Sequence, residues 1–164
     1  MRKLLCLLVA GLVLLPATAS AAPRIRTDPD DTPNVMDIRQ VITASHTRRT
    51  LLGITTYDPF EATALYDSFI QLDFDTKGRI GIDYYVDFGY ARRTNTLFCV
   101  LVSTAGFGDP VGRLRADFDP AGGVSCSIPT RWLDIRKEVR FSTVTVLQGQ
   151  HIDRAPGFGW YRGL

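Results

Sequence analysis

The stretch LDFDTKGRIGIDYYVDF, residues 72–88, carries the clearest pattern in the chain. Ile80, Ile82, Tyr84, Val86 and Phe88 alternate with Gly81, Asp83, Tyr85 and Asp87. Just upstream, Ile70, Leu72 and Phe74 alternate with Gln71, Asp73 and Asp75. Successive side chains of a strand point to opposite faces, so each run has one apolar and one polar face, as in an antiparallel sheet covered on one side. Together they predict a β-hairpin. Setting Phe74 opposite Ile80 leaves the loop Thr76-Lys77-Gly78, closed by Asp75 and Arg79. A two-residue loop would put Phe74 against Arg79 and turn one apolar face to water. Three-residue loops combine a type I turn with a left-handed residue, and Gly78 falls at that position.

The same stretch is rich in carboxylates. Asp73, Asp75 and Gly78 resemble the opening of an oxygen-rich cation loop. In the helix–loop–helix form of that loop, the fifth position supplies an oxygen ligand and the twelfth a glutamate. Those positions hold Lys77 and Tyr84, so that form is excluded. In the predicted register Asp73 faces Gly81, with Asp83 diagonal to it on the same outer face. A strand-borne calcium site of Asp73, Asp75 and Asp83 therefore stays open beside a plainer reading. The plainer one is a solvated acidic face, partly neutralised by Arg79.

Working outward, short β-rich runs recur at residues 35–45, 50–58, 68–75, 79–90, 96–106, 111–119, 123–129 and 138–148. Residues 59–67 and 130–134 have room for one or two helical turns. About eight strands separated by turn chemistry predict an all-β fold, an antiparallel β-sandwich of jelly-roll type. It occupies a single domain, residues 35–164, ending in an aromatic tail. The tail DRAPGFGWYRGL carries Trp160 and Tyr161, whose exposure at a free end would be costly, so it is expected to dock on the sandwich.

The N-terminus reads differently. Arg2 and Lys3 precede the apolar run Leu4–Leu15, and Ala17, Ala19 and Ala21 follow as small-residue cleavage positions. This is the layout of a signal peptide, residues 1–21, with an apolar run too short to span a bilayer. The protein is expected to be secreted and extracellular, with no membrane span. Residues 22–34, APRIRTDPDDTPN, are rich in Pro and Asp, lack hydrophobic periodicity and are expected to be a flexible leader. Loss of Arg2 and Lys3 leaves 17 basic residues against 17 acidic ones, a balance that argues against a nucleic-acid partner.

Two cysteines remain after cleavage, Cys99 and Cys126. An oxidising compartment favours one disulfide between them. In a simple meander they would sit two strands apart in one sheet, about 10 Å, beyond bonding range. The bond therefore requires the strand carrying Cys126 to cross to the other sheet.

Aromatic side chains supply the remaining candidates. In the predicted register Phe69 and Tyr85 form an outward cross-strand pair, either a small sugar-stacking platform or a plain packing pair. Trp132, in IPTRWLD, is a third stacking candidate and equally a core anchor behind a helical turn. Hydrolytic chemistry finds little support. His46 and His151 stand far apart, no G-x-S-x-G or H-E-x-x-H motif occurs, and Glu61 and Glu138 are the two glutamates.

The runs DIRQVITASHTRRTLLGITTYDPF, SFIQLDFDTKGRIGIDYYVDF, VSCSIPTRWLD and VRFSTVTV, closing on DRAPGFGWY, resemble secreted actinobacterial proteins of unknown function. Those in turn resemble β-sandwich modules of the DOMON and family 9 carbohydrate-binding type. The resemblance covers about residues 35–161 and implies a sandwich that binds sugar or haem, in some cases with structural calcium. Met36 is the one methionine beyond the signal peptide, which leaves no Met/His pair placed for haem. The expected function is a non-catalytic module that binds carbohydrate or cell-envelope material, with no cofactor unless calcium. The alternatives are a structural or protein-interaction domain and, third, a small hydrolase.

Overall fold

A computed structural model of the chain describes residues 22–78, 81–105, 108–135, 138–157 and 159–163. The segment read as a signal peptide lies outside the described residues. The strands are β1 (Arg24–Thr27), which lies in the predicted leader, and then β2 (Ile38–Ser45), β3 (Arg49–Thr56), β4 (Phe69–Asp75), β5 (Tyr84–Ala91) and β6 (Thr96–Ser103). They continue as β7 (Pro110–Arg115), β8 (Asp117–Asp119), β9 (Gly123–Pro129), β10 (Arg140–Leu147), β11 (Gln150–Ala155) and β12 (Tyr161–Arg162). The two predicted helical segments are single 3-10 turns at Ala62–Tyr66 and Thr130–Trp132.

All pairings are antiparallel and fall into two sheets, which makes the all-β sandwich. Sheet A runs β1-β2-β3-β9-β8; sheet B runs β11-β10-β4-β5-β6-β7, with β12 beside β10. The core lies between two inner faces. Sheet A contributes Val41, Leu52, Ile54, Val124 and Ile128, and sheet B contributes Leu72, Phe74, Val86, Phe88, Leu101 and Phe141, all buried.

The run at 111–119 is not one strand. It divides at Ala116, whose small buried side chain lets the chain leave sheet B after β7 and enter sheet A as β8. That crossing carries β9 into sheet A beside β3, so Cys126 faces Cys99 of β6 across the core. The topology the disulfide required is therefore present, yet both cysteines are free buried thiols and no disulfide is formed. Hydrogen bonding with Cys99, followed by burial, pushes the Cys126 pKa up.

The hairpin departs from its expected register. Phe74 pairs with Tyr84, not with Ile80, so the connection spans residues 76–83 rather than three residues. Arg79 and Ile80 lie outside the described residues. The slip is four positions, an even number, so the faces keep their identity: Ile70, Leu72, Phe74, Tyr84, Val86 and Phe88 are all buried. Ile82, expected inside, is exposed instead. Gly78 does take the left-handed conformation, with φ of 68°.

Two terminal segments also join the sandwich. Residues 24–27, expected to be a flexible leader, pair with β2, Arg24 opposite Thr43 and Thr27 opposite Gln40. Their ladder needs only an open sheet edge, which does not require hydrophobic periodicity. At the other end, β12 docks on β10, and the Tyr161 ring lies 5.4 Å from that of Phe141.

Candidate functional site

The outer face of sheet B brings Asp73 and Tyr85, two of the residues singled out from the sequence, together with Gln71 and Asp87. Its side chains stand in rows across the strands. One row is Ser142, Asp73, Tyr85 and Val102; the next is Val144, Gln71, Asp87, Val100 and Arg113. Strand spacing of about 4.8 Å and about 7 Å between same-face residues put Tyr85, Gln71, Asp73 and Asp87 within one small ligand's reach.

Asp73 was expected to be solvated, but it is 3 % exposed. Its flanks are central strands on both sides, and Ser142 and Tyr85 cover it. Gln71 Nε2 donates to Asp73 Oδ1 at 2.6 Å. Burial raises the Asp73 pKa, opposed by Gln71, by the Arg154 charge and by Ser142. Asp87, diagonal to it, is pushed up to about 6 by burial and then by the charge of Asp73. Asp87 Oδ1 is buried and accepts no hydrogen bond in the protein. The two carboxylates thus form a desolvated pair that favours sharing a proton or meeting an external donor.

The aromatic candidates separate. Tyr85 stands opposite Asp73, while Phe69 stands opposite Val146, so the expected Phe69–Tyr85 pair is not formed. The four-residue slip in register is the cause. Trp132 lies on the other side of the sheet: a Cβ added to Gly112 would meet its ring at 2.4 Å, and Gly112 pairs with the core residue Leu101. Trp132 is thus an anchor packed against the core, and Gly112 is the gap that admits its ring. Phe98, which sequence reasoning passed over, joins the outer face with the Arg113 guanidinium 3.7 Å from its ring centre.

Asp75 and Asp83 do not join Asp73 around a cation. Asp75, fully buried, binds Arg140 through an ion pair, with Nε 2.9 Å from Oδ2. Its Oδ1 accepts from the amides of Lys77 at 3.2 Å and Gly78 at 2.7 Å. Asp83 Oδ2 accepts from the amides of Thr76 at 2.9 Å and Lys77 at 3.0 Å, and the Lys77 ammonium lies 3.4 Å from Oδ1. Burial acts to raise the Asp83 pKa, but the two amides and Lys77 outweigh it and hold it below the usual carboxylate range. Each carboxylate organises the hairpin loop, which accounts for its position without an ion.

His46, His151, Glu61 and Glu138 are exposed and belong to different parts of the chain. No protein-family model, curated protein or solved structure matches the chain. The likeness to DOMON and family 9 modules therefore rests on the sequence motifs alone. No helix among the described residues is long and apolar enough to cross a membrane.

Proposed function

We propose that this is a secreted, non-catalytic β-sandwich module that binds carbohydrate on the outer face of sheet B. The observation that carries the reading is the cluster of Tyr85, Gln71, Asp73 and Asp87, with Asp87 Oδ1 lacking a donor. A sugar offers what such a cluster lacks: hydroxyl donors for the carboxylates and an apolar ring face for the tyrosine. The cationic and aromatic neighbours Arg113 and Phe98 extend the same face.

Glycan-array binding tests it. Tyr85→Ala is expected to weaken the best glycan by roughly tenfold, about 1.4 kcal/mol of contact, while thermal melting stays near wild type. Failure of the intact protein to bind any glycan, or binding indifferent to Tyr85→Ala, would remove the reading. The paired carboxylates favour one further reading, a glycoside hydrolase with Asp87 as the protonated acid. Turnover that disappears in Asp87→Asn, with glycan binding retained, would select it.

A further inference from the structure

A second set of carboxylates meets at the seam between the sheets. Asp28 and Asp31 follow β1, Asp37 precedes β2, and Asp153 sits in β11 of the opposite sheet. One oxygen each from Asp28, Asp31 and Asp153 lies within 4.8 Å of the others. Oxygens bound at about 2.3–2.6 Å to a single calcium stand at most about 5 Å apart, so these three meet that limit as they are placed.

Proximity of acids alone is common, but the bonding state of these is not. Asp28 is 5 % exposed and Asp37 is 1 % exposed. Asp28 Oδ2 and Asp37 Oδ1 are buried with no hydrogen-bond partner. Their sister oxygens are held: Tyr161 Oη donates to Asp28 Oδ1 at 3.3 Å, and the Thr32 amide donates to Asp37 Oδ2 at 3.4 Å. Asp153 Oδ2 accepts from the Ile38 amide at 2.8 Å, which fixes it beside Asp37. Among the described residues no Lys or Arg forms an ion pair with any of the four. A buried, unpaired carboxylate oxygen is costly, and both of these belong to carboxylates with acidic neighbours that bring no positive charge.

The backbone holds the group in place. Tyr57 Oη donates to the Asp28 carbonyl at 2.6 Å, and the Asp28 amide donates to Arg39 O at 3.0 Å. A cleft of about 410 Å³, lined in part by Asp31, Thr32 and Asp153, opens onto the cluster and gives an ion and its waters access. The ligands are all carboxylate oxygens, two from the loop after β1 and one from β11 at its bulge, which suits a hard cation of variable coordination number better than magnesium's rigid octahedron.

We propose that Asp28, Asp31 and Asp153, supported by Asp37, form a calcium site that ties the N-terminal segment and the β2 edge of sheet A to β11 of sheet B.

The test is thermal melting and calorimetric titration of the EDTA-treated protein with calcium chloride. The melting temperature is expected to rise with the logarithm of calcium concentration, as it must for a ligand of the folded state. Asp31→Ala, an exposed loop position, is expected to fold normally and lose the shift, whereas Asp73→Asn on the sheet B face keeps it. Terbium, excited through the adjacent Tyr161, should emit and be displaced by calcium. No heat and no melting shift at millimolar calcium would overturn the site. So would a shift that survives Asp31→Ala, or one that vanishes in Asp73→Asn.

Discussion

Two regions of this protein are crowded with aspartates, and they resolve the crowding in opposite ways. In the hairpin loop, Asp75 and Asp83 turn their oxygens onto the amides of Thr76, Lys77 and Gly78, and Arg140 and Lys77 supply positive charge. At the seam, Asp28 and Asp37 keep an oxygen each without a donor, and Asp31 and Asp153 add negative charge beside them. The difference lies in sequence distance. A carboxylate close to a turn finds free amides within a few residues, whereas Asp153 reaches the connection between β1 and β2 from a distant strand and meets other acids there. The hairpin aspartates are structural glue; those at the seam await a charge from outside the chain.

The comparison is most exposed to failure at Asp75. Asp75→Ala removes a fully buried partner of Arg140 and the acceptor of two loop amides. It is expected to cost about 3 kcal/mol in urea denaturation. A cost under about 1 kcal/mol would mean that the loop is not held by its carboxylates.

The next effect is on pH dependence. Asp28 and Asp37 have folded-state pKa values of about 6, raised from 3.8, so their contribution is fully present below about pH 4 and is lost as pH rises through 6. Metal-free protein is therefore expected to lose stability between pH 4 and pH 7, by roughly 2 kcal/mol for either group taken alone. Asp28→Asn, facing Asp31, Asp153 and Tyr161, should flatten that slope. Asp87 adds to the same trend, while Asp83 contributes stability lost only as pH falls below 3.8. A slope unchanged by Asp28→Asn would place its origin elsewhere, with Asp87 the first residue to examine.

The smallest effect has the most informative sign. In metal-free protein, Asp31→Ala is expected to leave stability within ~0.5 kcal/mol and to shift it upward, because repulsion is relieved. Removing an acid thus destabilises the hairpin and slightly stabilises the seam. A clear loss of stability in metal-free Asp31→Ala would erase the distinction between the two regions.

Some of this was legible in the residues and some was not. The parity of Ile70, Leu72, Phe74, Val86 and Phe88 reads directly as one buried face, because burial repeats with the pleat. Register is a weaker signal: slips of two or four residues preserve parity, and only Asp75 and Asp83 gripping the loop amides select the longer connection. That slip separates Phe69 from Tyr85 and takes Asp83 away from Asp73. The seam was hidden for another reason. Asp28 and Asp31 sit in a Pro-rich stretch that resembles a leader, and their partner Asp153 follows more than a hundred residues later. Spacing along the chain carries no trace of that meeting.

The class of fold, the inner faces of the central strands, the left-handed turn at Gly78 and the docking of the tail all follow from the residues alone. Each depends on interactions within a strand or a turn, or on the cost of leaving aromatic rings in water. It takes the packed molecule to show that the chain leaves sheet B at Ala116, that Cys126 faces Cys99 as a free thiol, and that Trp132 packs where Gly112 makes room. Packing alone assembled the acids of the seam. Those outcomes depend on which strand finds which neighbour, a choice made by packing two whole sheets against each other rather than by any short run of residues.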